Sequence, residues 1–191
     1  MEDRRVDIYD RVFKGIDKLI EKNSPCIVAI DGMCGAGKTY LANLIGERYD
    51  CNIFHIDDFF LPLEMKTEER LAQAGGNVHY ERFREEVTDP LSKNQTVIYR
   101  PYICGSWTYG DSRMVEPKRL NIVEGSYSMH PFLREAYDLS IFMDLDEEEQ
   151  IRRIRERNGE DKLEQFINLW IPLENKYFNE LNIRSICDIR L

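Results

Sequence analysis

The segment Gly32-Met33-Cys34-Gly35-Ala36-Gly37-Lys38-Thr39 constrains this chain more than any other stretch, because it matches GxxxxGK[ST]. A short continuous apolar run, Cys26-Ile27-Val28-Ala29-Ile30, precedes it and suits a strand buried on both faces of a parallel sheet. Lys38 to Tyr49 follows, with Leu41, Leu44 and Ile45 on one helical face. Glycines at this spacing let the backbone curl until successive N–H groups converge on an anion, and the helix behind adds its positive end. The pattern predicts that Gly32, Cys34, Gly35, Ala36, Gly37, Lys38, Thr39 and Tyr40 form a site for a nucleoside triphosphate. Lys38 would meet the β- and γ-phosphates, and the Thr39 hydroxyl would ligate Mg²⁺. A match of this kind arises by chance in roughly one chain of this length in 150. The alternative is an ordinary glycine turn between strand and helix.

Strand-like and helix-like segments alternate through the rest of the chain. Residues 6–22 place Tyr9, Val12, Phe13, Ile16, Leu19 and Ile20 at helical spacing, and Asn23-Ser24-Pro25 ends that helix. Asn52–Ile56, Thr96–Tyr99, Leu120–Val123 and Leu139–Met143 read as strands. Residues 67–74, 80–88, 130–137, 146–157 and 161–180 read as helices, the last with Pro172 as a kink, and Cys187–Ile189 as an edge strand. The implied fold is α/β with a mainly parallel central sheet, and residues 100–118 fit the alternation worst, as a hairpin excursion would. Trp170 and Phe166 read as core residues of the last helix. At 191 residues one domain is expected. No apolar run approaches the ~20 residues of a membrane span. The net charge of −9, without a basic block, argues against nucleic-acid or membrane-surface partners. Five cysteines without a CxxC pair point away from a disulfide framework or zinc site and towards a cytoplasmic setting.

In a parallel sheet, ligands sit beyond the carboxyl ends of the strands. Acids stand there in His55-Ile56-Asp57-Asp58-Phe59-Phe60 and in Val123-Glu124-Gly125. One carboxylate beside a triphosphate can hold magnesium, and one facing an acceptor can take its hydroxyl proton. Helix capping and a solvated strand end are the structural alternatives. The segment from Asp146 to Arg157 opens on acids and closes on Arg152, Arg153, Arg155 and Arg157, which suits the helix dipole. It also suits a lid whose arginines meet a phosphoryl group, although at 100° per residue only about two can face one site.

DGMCGAGKT, HIDDFF, GGNVHYERF, IVEGSYSMHP, YDLSIFMDLD and RRIRERN occur in this order from residue 31 to about 157. Together they resemble the uridine kinase-like family of P-loop kinases. The resemblance implies a three-layer α/β/α sandwich with a small arginine lid at about 152–162. It implies transfer of the γ-phosphoryl group of ATP or GTP to a small-molecule hydroxyl, with Mg²⁺. Asp57 then matches the catalytic base beside Lys38, and Thr39, Glu124 and Asp57 lie near the metal. Phe60 stands where the nucleoside enzymes carry a tyrosine, and Tyr99, Arg100 and Tyr102 open the excursion that covers the substrate. Arg153, Arg155 and Arg157 match the lid. Tyr127, like Trp107, packs over the substrate or in the core and rim.

The chain departs from the pattern at His79, where an aspartate would bind ribose hydroxyls. A neutral imidazole cannot grip a diol as a carboxylate does, and a helix-start role is the alternative. His130, before Pro131, reads as a capping residue. These differences leave open a non-nucleoside acceptor such as a vitamin or sugar precursor. A nucleotide-dependent switch is a further alternative, but no NKxD tetrapeptide is present. Nothing in the sequence marks a subunit interface.

Overall fold

The computed structural model describes residues 2–22 and 24–191; Asn23, part of the expected helix break, lies outside the described residues. Helix α1 (Glu2–Ile20) buries Val12, Phe13, Ile16 and Leu19 against the sheet, with Tyr9 and Ile20 half-buried beside them. Strand β1 (Cys26–Gly32) is buried along its whole length and leads through the glycine-rich loop into α2 (Lys38–Arg48). Strand β2 (Cys51–His55) ends in a tight turn at Ile56–Phe59.

The next segment is less helical than its periodicity predicts. Of 67–74 only α3 (Glu68–Leu71) forms. Helix α4 (Tyr80–Phe83) runs through a π turn at 84–88 into α5 (Asp89–Ser92). The excursion is a pair of antiparallel ladders, β3 (Val97–Tyr99) with β6 (Arg113–Val115) and β4 (Tyr102–Ile103) with β5 (Thr108–Tyr109). Thr96–Tyr99 therefore contributes to the hairpin rather than to the central sheet.

Strands β7 (Leu120–Glu124) and β8 (Leu139–Met143) return to the core. Between them the expected helix 130–137 shrinks to one tight turn at Arg134–Ala136. Its backbone is tied at both ends, the Met129 N–H to Asp31 (2.8 Å) and the Asp138 N–H to the Ile27 carbonyl (2.8 Å). Helix α6 (Glu147–Asn158) starts on Asp146, whose side chain accepts the Glu149 N–H. Helix α7 (Glu160–Gln165) continues through a π turn at 166–170 into α8 (Ile171–Glu180), followed by α9 (Ile183–Ile186) and β9 (Ile189–Arg190). Both π turns stand just before a proline, Pro90 and Pro172, near the start of the next helical stretch. Proline has no N–H for the regular ladder, and widening the preceding turn accommodates the missing bond.

The central sheet has five parallel strands in the order β2-β7-β1-β8-β9. Register brings the functional ends together: His55 pairs with Glu124, Ile30 with Glu124, and Gly32 with Met143. The carboxyl ends of β2, β7 and β1 thus meet at one edge. None of the described helices is long and apolar enough to cross a membrane.

Candidate active site

The phosphate loop begins where β1 presses against β8. Gly32 has φ +140°, and a Cβ there would stand 2.2 Å from the Met143 carbonyl oxygen. Gly32→Ala is expected to cost on the order of 3 kcal/mol, a fall in Tm of roughly 6–12 °C by calorimetry. A wild-type Tm in that variant would contradict this close approach. Asp31, fully buried, anchors the same corner. It accepts the N–H groups of Gly32 (2.7 Å), Tyr127 (3.2 Å) and Met129 (2.8 Å) and the Tyr177 hydroxyl (2.7 Å). Burial pushes its carboxyl up to about 6, against the pull of those donors.

Lys38 folds back over the loop. Its ammonium donates to the carbonyls of Gly32 (2.7 Å) and Met33 (3.0 Å) and to the Ser126 hydroxyl (3.1 Å). The Thr39 hydroxyl donates to Glu124 Oε1 (3.2 Å), and the same oxygen meets His55 Nδ1 at 2.6 Å. That contact raises the imidazole above its ordinary range. Gly125 (φ +135°) leaves room for the neighbouring acid: a Cβ there would stand 3.1 Å from Ile56 Cβ and 3.7 Å from Asp57 Oδ1.

The two acids of the DDFF segment divide. Asp57 lines the cavity, whereas Asp58 turns to the hairpin and accepts Arg113 (2.7 Å) and the Tyr99 hydroxyl (3.3 Å). Asp57 stays within reach of solvent, but the protein around it displaces enough water to raise its carboxyl above the usual carboxylate range. Lys38 opposes that rise, and Glu124 and Glu174 add to it.

Lys38, Thr39, Asp57 and Glu124 share a cavity of about 670 Å³ with Phe60, Tyr127, Arg153 and Arg157. That volume lies within the range of small-molecule sites. Arg153 and Arg157, four residues apart on α6, face the cavity, and Arg153 reaches the Gly35 carbonyl (3.3 Å). Arg155 does not join them: it lies on another face of the helix and pairs with Glu160 (2.9 Å).

Other expected substrate contacts are engaged elsewhere. His79 caps α4, its Nδ1 accepting the Arg82 N–H (3.3 Å). Tyr99 stacks on Phe59 (5.3 Å between centroids), Arg100 braces the Gly110 carbonyl (2.7 Å), and Tyr102 packs edge-on to Tyr109. None of these four belongs to the cavity wall. Tyr40 is exposed on α2. His130 stacks on Tyr80 and accepts the Phe132 N–H (3.3 Å), but it caps no helix, because the turn that replaces the expected one begins at Arg134 after Leu133.

Trp170 and Phe166 are not core residues. Both are half-exposed and line the cavity, Trp170 facing Phe60 with centroids 6.3 Å apart. Sequence reasoning also missed Glu174, Gln150 and Asn77. Glu174 accepts the Cys34 N–H (2.9 Å), and Gln150 donates to the Cys34 carbonyl (3.1 Å). Glu174 follows Phe166 and Trp170 at four-residue spacing, so an acid on an apolar helix face was the available signal.

Cys34 is buried at the loop, and burial, with the Glu174 charge beside it, pushes its thiol up to about 12. At pH 8 it stays protonated, so iodoacetamide should leave Cys34 unmodified in the folded protein. Peptide mass spectrometry showing rapid alkylation there would contradict this environment.

The oxygen donors fit magnesium. Thr39 offers a hydroxyl and Glu124 and Asp57 carboxylates on one cavity, and Mg²⁺ is commonly held by one or two carboxylates together with substrate phosphates. Among the described residues no cluster of three or more His, Cys, Asp or Glu side chains could hold a metal ion.

No protein-family model matches the chain, and no curated protein matches it. Solved structures do. A possible uridine kinase from Bacillus stearothermophilus superposes with TM-score 0.69 at 18% identity, over 95% of this chain and 99% of that one. A D-glycerate 3-kinase from Cryptococcus neoformans gives TM-score 0.65 at 13% identity, over 96% of this chain and 92% of that one. The chain has the fold of the P-loop kinases.

Proposed function

We propose that this chain is a single-domain kinase that moves the γ-phosphoryl group of ATP or GTP to a hydroxyl of a small molecule, with a nucleoside as the first candidate. The observation that carries the reading is the convergence of Lys38, Thr39, Glu124 and Asp57 on one cavity whose wall also holds Arg153 and Arg157. Asp57 takes the acceptor proton as the acceptor oxygen bonds to the γ-phosphorus. The bond to the β,γ-bridging oxygen breaks, and its electrons leave with the nucleoside diphosphate. Lys38 and the two arginines stabilise charge on the transferring group, and residues 152–162 act as the lid. Thr39 and Glu124, with Asp57, would hold magnesium, which neutralises phosphate charge when bound.

A non-nucleoside acceptor, such as a vitamin or sugar precursor, is the second reading, and one observation favours it. Asn77 and Tyr127, 7% and 3% exposed, line the cavity. The Asn77 amide nitrogen and the Tyr127 hydroxyl have no hydrogen-bond partner among the described residues. Neutral donors suit a carbonyl or ring nitrogen, which nucleobases also carry. What favours the second reading is that His79, where the resemblance puts the diol-binding aspartate, caps α4 and lies outside the cavity wall. The deciding experiment offers nucleosides and other small alcohols with ATP and Mg²⁺, using Asp57→Asn as the blank. Turnover of an alcohol other than uridine and cytidine keeps the mechanism and changes the acceptor. A wild-type rate no higher than an enzyme-free control with every acceptor discards the kinase reading.

A further inference from the structure

We infer that Glu174 is a positioning residue: through Ser126 and the Cys34 amide it fixes where the Lys38 ammonium stands. The inference rests on the phosphoryl-transfer reading for its rate measurement. Glu174 is 6% exposed and lines the cavity. Its two carboxyl oxygens accept from the Cys34 N–H at 2.9 Å and from the Ser126 hydroxyl at 2.7 Å. These partners lie 140 and 48 residues away in sequence, so α8 ties the phosphate loop to the turn after β7.

Ser126 has one proton and three neighbours: Glu174 Oε1 at 2.7 Å, the Gly32 carbonyl at 3.0 Å and Lys38 Nζ at 3.1 Å. The charged and shortest acceptor takes the proton. The lone pairs of the Ser126 oxygen are then left for the ammonium. Lys38 keeps the Gly32 and Met33 carbonyls as its other acceptors. Glu174 thus sets the direction of the hydroxyl, and the hydroxyl sets the place of the cation.

A glutamine could not do the same. Its one oxygen can serve either the Cys34 N–H or the Ser126 proton. Its NH₂ group would then either oppose the Cys34 N–H or donate to Ser126 in competition with Lys38. Electrostatics adds a signature that loss of packing would not produce. A carboxylate on the cavity wall opposes phosphate, so neutralising it does not weaken nucleotide binding.

The test compares Glu174→Gln, Ser126→Ala and the double variant. MgATP binding is followed by calorimetry, and the rate is that of γ-phosphoryl loss to the acceptor or to water. We expect each single variant to lose about 10- to 100-fold in rate. In Glu174→Gln the MgATP Kd should stay within about threefold of wild type or tighten, because the lost carboxylate charge offsets the displaced ammonium. The double variant should be no slower than the slower single one, because both break the same link. A wild-type rate in either single variant, losses that multiply in the double, or a Glu174→Gln Kd that weakens with the rate would each overturn the inference. If Glu174→Gln does not fold, the rate of Ser126→Ala decides: a wild-type rate overturns the inference and a loss of about 10- to 100-fold supports it. Failure of the wild-type protein to bind MgATP would instead overturn the kinase reading, which separates the two failures.

Discussion

Asp57→Asn is expected to lower turnover by about 10²- to 10⁴-fold while leaving MgATP affinity within a few-fold of wild type. Asparagine keeps the shape and one acceptor oxygen, so the acceptor hydroxyl can still dock. It cannot take the proton that must leave as the new bond to phosphorus forms. Protein atoms crowd water away from the Asp57 carboxyl and raise it, while Lys38 holds the rise in check, and a carboxylate with a raised affinity for its proton is the stronger base. Near-normal turnover in this variant would remove Asp57 from the role. Asp58→Asn provides the contrast, because its partners are Arg113 and Tyr99 of the hairpin.

Lys38→Ala is expected to weaken MgATP by about 10²-fold or more, through loss of charge-assisted bonds worth roughly 1.5–3 kcal/mol each. The structure adds a second loss. The ammonium clips the Gly32 and Met33 carbonyls and Ser126 together, so its removal frees the loop as well as the charge. It also removes the cation that restrains Asp57, whose carboxyl should then rise further. Binding and rate therefore fall together, unlike the split expected for Asp57→Asn. Unchanged MgATP affinity by titration calorimetry would contradict the phosphate-site reading at its base.

Much of the central sheet was legible because each strand of it is a local pattern. The run 26–30, the apolar segments at 120–123 and 139–143 and the acids after β2 and β7 all stand where the alternation puts them. The misplaced elements have causes that periodicity does not carry. Asp31 holds the chain after β7, where the expected helix shrinks to one turn, and Thr96–Tyr99 finds its partner in the hairpin. The arginine face was half legible: helical spacing allows two of the four to reach one place, but the pair is set by how α6 is rotated against the phosphate loop. The Gln150 and Arg153 contacts to Cys34 and Gly35 fix that rotation.

By itself the sequence determined the chemistry on offer: a phosphate loop, a lysine, a threonine and acids at strand ends, each defined by neighbours a few residues away. The tertiary structure decided which of them meet. It turned Asp57 to the cavity and Asp58 to the hairpin, brought Arg153 and Arg157 to the cavity, and sent His79 to cap a helix. It also carried Glu174 across 140 residues to the loop. The physical reason is that periodicity sets a side chain's direction only relative to its own element, whereas a cavity is closed by distant elements whose mutual rotation comes from packing.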